Sequence, residues 1–81
     1  MSSTDVAAVE ESLVRETLSG LLKDFREHAE VVFEAHREFE SADMESDRFD
    51  QSIAQLDAAL TALRVTVPAI LVELDRLDEV N

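Results

Sequence analysis

Two lines of apolar residues, spaced alternately by four and by three, limit what this chain can fold into. The first runs Val14, Leu18, Leu21, Phe25, His28, Val32, Ala35, Phe39. The second runs Phe49, Ile53, Leu56, Leu60, Leu63, Val67, Ile70, Leu74, Leu77. Residues at such spacing share one side of an α-helix, as the a and d positions of a heptad, and that seam has to be buried against another helix. An acidic gap, Ser41 to Asp47, separates the two lines. The sequence therefore reads as all-α: an antiparallel hairpin with a first helix over about 5–40, an acidic turn at 41–47 and a second helix over about 48–79. Segments of matched length joined by a short connection fold back on each other.

Local signals agree with these bounds. Ser2, Ser3, Thr4 and Asp5 are N-cap candidates for the first helix, and Ser46 or Asp47 for the second. Gly20 lowers helix stability by up to about 1 kcal/mol relative to alanine. The heptad nevertheless passes through it in phase, so it reads as a flank position suited to close packing. Pro68 lies inside the second line, where it removes a backbone hydrogen bond and clashes with the preceding turn. Either the second helix kinks there, or Thr66 caps a short third helix. The unbroken phase of Leu63, Val67, Ile70 and Leu74 favours the kink.

The second helix carries more apolar surface than one seam can hide. With Ile53 at a and Leu56 at d, the outward c and f positions are Ala58, Ala62, Val65, Ala69 and Val72, and Arg64 is the only charge between Ala58 and Val72. A helix that is apolar nearly all round is normally buried all round. The first helix adds off-seam Leu13, Leu22, Ala29, Val31 and Phe33. Self-association into a dimeric four-helix bundle would cover most of these; a monomeric three-helix bundle is the competing arrangement. At 81 residues the chain is a single helical domain, 1–81, short of core on its own, and it has no cysteine to staple it.

Charge narrows the partners. There are 19 Asp and Glu against 7 Lys and Arg, a formal charge of −12, and six of the seven basic residues are arginine. Phosphate backbones are held by clustered Lys and Arg, so direct nucleic-acid binding is not expected. An acid-rich, lysine-poor surface suits a high-salt cytoplasm as well as it suits plain solubility. No basic-then-apolar leader opens the chain, and Ala58–Val72 is too short to span a bilayer. The expectation is a cytoplasmic protein with no membrane partner.

The chemistry-bearing residues are few. His28 and His36 sit eight apart on the first helix, with Asp24 and Glu40 one turn away; they are the weak candidates for a metal. Di-iron bundles use Glu-x-x-His, and here Phe25 and Phe33 stand where those glutamates belong. His28 reads as a polar core residue instead. Asp43-x-Glu45-x-Asp47 resembles the start of a calcium loop, but Arg48 occupies its glycine position and Ala54 its bidentate acid position. No nucleophile has a base at helical spacing. No enzyme activity, cofactor or metal is expected, and no family resemblance is specific.

Three functional readings follow. The leading one is a non-catalytic helical protein–protein interaction module, such as a homo-oligomeric bundle, adaptor or chaperone-like binder. Its contacts would come from Phe25, Val32, Phe33, Phe39, Ala58, Ala62, Val65, Ala69 and Val72. The alternative is an acidic inhibitor, DNA mimic or antitoxin-like protein that binds a basic surface through rows such as Glu27, Glu30, Glu34 and Glu38. The third is a metal-binding bundle built on His28 and His36.

Overall fold

A computed structural model describes residues 3–80, and side-chain environments from residue 6 to residue 80. Its two elements are α1 (Ser3–Ser41) and α2 (Asp47–Val80), with no strand among the described residues. At about 1.5 Å per residue these helices are roughly 58 and 51 Å long. The molecule measures 66 × 14 × 13 Å, so the helices lie side by side and not end to end. The two short axes are nearly equal, as expected when two helices wind about each other instead of lying flat.

The turn is built without glycine. Ser46 N donates to the Asp43 carbonyl at 2.9 Å, and its hydroxyl donates to the same oxygen at 2.6 Å. No residue in the described chain has a positive φ, so no left-handed position is needed here. Ser46 then caps α2: its Oγ accepts from Phe49 N at 3.2 Å, and its carbonyl accepts from Asp50 N at 3.3 Å. Asp47 and Asp50 occupy the first turn of α2, where the helix dipole favours acids. Of the first helix's cap candidates, Ser3 to Asp5 are already helical, and Ser2 lies outside the described residues.

Two contacts fix the register. Phe39 and Phe49 stack with ring centroids 5.2 Å apart. Arg48 Nη2 donates to Glu38 Oε2 at 2.6 Å across the turn. Continued along an antiparallel heptad, this register sets Ala35 level with Ser52, Val32 with Leu56, His28 with Ala59, Phe25 with Leu63, and Leu18 with Ile70. Burial follows the same order: Ala35 and Ser52 are sealed (0 % and 1 % exposed), and Leu18, Ala59 and Ile70 are buried.

α1 uses the apolar line read from its sequence; α2 keeps Phe49, Leu56, Leu63, Ile70 and Leu77 of its line and turns the other four out. Its inward positions are Phe49, Ser52, Leu56, Ala59, Leu63, Thr66, Ile70, Glu73 and Leu77. Ser52, Ala59, Thr66 and Glu73 thus stand where Ile53, Leu60, Val67 and Leu74 were expected. The seam on α2 is rotated by one position, roughly 50° at about 3.5 residues per turn. Steric reach explains the choice: small side chains on α2 let the helix backbones approach closely over Ala35 and His28. The inward hydroxyls remain satisfied, because Ser52 Oγ donates to the Phe49 carbonyl at 2.6 Å and Thr66 Oγ1 to the Ala62 carbonyl at 3.2 Å.

α2 is one helix through Pro68, which excludes the short third helix capped by Thr66; Arg64 and Pro68 are exposed, so the Arg64 carbonyl that loses its partner can turn to water. Two further expectations change. A Cβ built on Gly20 would meet nothing within 4 Å, so Gly20 is open helix surface and not a packing point within the hairpin. With Ile53 at a, Glu73 falls at a flanking g position outside the expected seam; the rotation turns it into the seam instead. Its side chain is only 12 % exposed and pairs with Arg76 at 3.2 Å.

Candidate interaction surface

Two antiparallel helices are related by a local two-fold axis, so residues with the same offset from the inward lines share a side of the pair. Glu38 and Arg48, each one residue before an inward phenylalanine, meet on one flank. Its turn end is polar: a groove there is lined by Glu34, Arg37, Glu38, Arg48, Gln51, Ser52 and Gln55; farther from the turn Leu13, Val31, Val65 and Val72 are exposed on the same side. The other flank carries the residues that follow the inward small line. On α1 these are Arg15, Leu22, Ala29 and His36; on α2 they are Ile53, Leu60, Val67 and Leu74.

The second flank is apolar over most of its length. Ile53, Leu60, Val67 and Leu74 are between 38 % and 51 % exposed, and Leu22, Phe25, Phe39 and Leu71 are exposed beside them. The register sets Leu22 level with Val67 and Ala29 level with Leu60. On α1 this side is bordered by Arg15, with Glu11 4.0 Å from it, and by Arg26; on α2 it is bordered by Arg64 and by Asp50, Asp57 and Asp78. Both signs therefore flank the apolar strip, and the glutamate rows of α1 lie on the opposite flank and the outer surface.

The residues expected to make contacts divide between surfaces. Phe25 and Phe39 lie at the edge of the apolar flank, Val32 is half-buried in the seam, and Phe33 projects on the same side, 65 % exposed. Ala58, Val65 and Val72 lie on the back of α2, with Val65 75 % exposed. Ala62 and Ala69 are half-buried, because the rotation of α2 draws them toward α1. The expected set is thus not one patch. Sequence reasoning missed Ile53, Leu60, Val67 and Leu74 as surface residues, since it had assigned them to the seam.

His28 is half-buried in the layer level with Ala59, and His36 is exposed with Nε2 3.2 Å from Glu40 Oε1. Among the described residues no three His, Cys, Asp or Glu are placed to hold a metal. Arg26 pairs with Glu30 at 3.2 Å and Arg15 reaches Glu11 at 4.0 Å, both exposed. α2 is long and apolar enough to cross a membrane by length and composition, with a window of mean hydropathy 1.4, although Ala58–Val72 alone had read as too short. Only 11 % of that window is buried in the hairpin, the same surplus of uncovered apolar surface seen from another direction. Compared with known proteins, the chain matches no family model, no curated relative and no solved structure.

Proposed function

We propose that the protein is a non-catalytic helical interaction module that works by burying an apolar face against a second helical surface, as a homodimeric four-helix bundle in the first instance. One observation carries this reading: among the described residues the hairpin leaves sixteen large hydrophobic side chains exposed. Its accessible surface is 6288 Å², against roughly 4,900 Å² for a compact chain of this mass. Its radius of gyration is 18.5 Å, against about 12 Å for a compact domain. Apolar surface of that extent on a soluble chain marks a binding face.

The test is thermal unfolding followed by circular dichroism from low to high micromolar protein. Mass action makes the melting temperature of an associating chain rise with concentration. A melt independent of concentration, with sedimentation of a stable monomer, would refute the reading. The acidic-inhibitor alternative draws less support, because Glu30, Glu38 and Glu40 already have partners in Arg26, Arg48 and His36. Binding to a basic protein surface that weakens steeply with salt would favour it.

A further inference from the structure

The geometry points to a second copy of this chain docked on the flank formed by Leu22, Phe25, Ile53, Leu60, Val67 and Leu74, apolar flank to apolar flank. This inference rests on the interaction-module reading and names its partner and its face. In a four-helix bundle each helix touches two neighbours, so its apolar arc has to be wider than one seam. α2 has that wider arc. Its line through Ser52, Ala59 and Thr66 is satisfied by α1, and the line through Ile53, Leu60 and Val67 is left open beside it. α1 opens the same way on the same side, through Leu22 and the outer edges of Phe25 and Phe39. The rotation of α2 that disfavours an isolated hairpin is the rotation half a bundle requires.

Area and charge select the occupant. The hairpin carries on the order of 1,400 Å² more total surface, polar and apolar together, than a compact chain of its mass, which leaves room to bury the ~800 Å² per partner of a standard-sized interface. A two-fold interface has to be complementary to itself, and this flank meets that condition: it is apolar along its centre and bordered by both signs, Arg15, Arg26 and Arg64 with Asp50, Asp57 and Asp78. A basic partner would be drawn to the opposite flank and the outer rows of glutamate. Docking on the apolar flank also turns those rows outward in both copies. Their mutual repulsion is then spread over the outside and is screened by salt, so association should tighten as salt rises.

Sedimentation equilibrium on the wild type, Leu60→Glu and Val65→Glu tests the assignment. The expected result is a wild-type dimer at micromolar concentration, tighter in molar salt. Leu60→Glu should weaken association by 100-fold or more, and Val65→Glu, on the back of α2, by less than threefold. A dimer disrupted by Val65→Glu and not by Leu60→Glu would overturn the face while leaving the interaction-module reading intact. Should Leu60→Glu fail to fold, Leu60→Cys and Val65→Cys serve instead, because the chain has no other cysteine. Rapid disulfide dimerisation of Leu60→Cys alone supports the proposal; dimerisation of Val65→Cys alone sinks it. A wild type that stays monomeric and instead floats with phosphatidylcholine vesicles would replace the second copy with a bilayer. A monomer that does neither would overturn both readings.

Discussion

The two flanks of the hairpin are made by the same pair of helices, yet one is polar toward the turn and the other is apolar along most of its length. On one, Glu38 and Arg48 join across the turn, glutamines line the groove, and Gly20 leaves open helix surface. On the other, leucine, isoleucine and valine follow each other along α2 with phenylalanine edges from α1, and charges of both signs stand only at the border. Only one residue separates the two worlds on α2: Ala59 is buried in the seam and Leu60 is half in water. The difference teaches that the hairpin is closed by layers that alternate small residues such as Ala35, Ser52 and Ala59 with large ones such as Leu18 and Ile70, while a further line of large apolar residues on α2 is left outside it.

Adjacent substitutions probe that division most sharply. Ala59→Asp would bury a charge against α1 and should destabilise the hairpin by about 3 kcal/mol or more, enough to abolish the helical signal at 222 nm. Leu60→Asp, one residue on, should leave that signal largely intact and affect association instead. Equal loss of helix from both would mean that no division exists. A smaller effect of opposite sign is expected at Glu73, whose charge sits in the seam against an exposed arginine. Glu73→Leu should stabilise by about 1 kcal/mol, since removing a poorly compensated inward charge and adding apolar contact both help. That corresponds to several degrees in melting temperature for a chain of this size; a drop would show that the Glu73–Arg76 pair is a net contributor.

The polar flank offers two milder tests. Gly20→Ala adds a methyl group into open space in a helix interior, and should stabilise by somewhat less than about 1 kcal/mol. Destabilisation on that substitution would place a close neighbour over the polar flank and reverse the assignment of covered and free sides. Arg48→Ala removes an exposed ion pair, for which about 0.5 kcal/mol is expected. The loss should shrink in molar salt, and a loss above about 2 kcal/mol would make the turn a principal anchor of the fold.

How much of this was legible in the sequence depended on the helix. On α1 the apolar line is narrow and its neighbours Asp24, Glu27 and Glu34 are charged, so only one rotation buries Leu18 and Leu21 together with Phe25. The turn was legible as well, because Ser46 is a cap whose hydroxyl has two partners to satisfy. α2 was not, and the reason is its breadth. Three neighbouring lines, through Ser52 and Ala59, through Leu56 and Leu63, and through Ile53 and Leu60, are all small or apolar, so hydrophobicity ranks two rotations almost equally. The choice between them is steric, decided by how near α1 can come. A signal was present in the matched small residues Ser52, Ala59 and Thr66 at seven-residue spacing, level with Ala35 and His28. Glu73 masked it, since a charged residue on that line argued for the outside.

The antiparallel layout also has a mechanical consequence. Residues 3 and 80 lie at one end of a 66 Å rod and the Ser46 turn at the other. A pull between those two residues loads the layers one at a time from the open end, beginning with Glu11 and Leu77 and then Val14 and Glu73, where charged side chains already interrupt the seam. The hairpin would part there like a zipper and yield under little force. A pull between the turn and the open end would instead drag every layer in shear at once. The same contacts therefore give a weak fastener along one axis and a stiff strut along another.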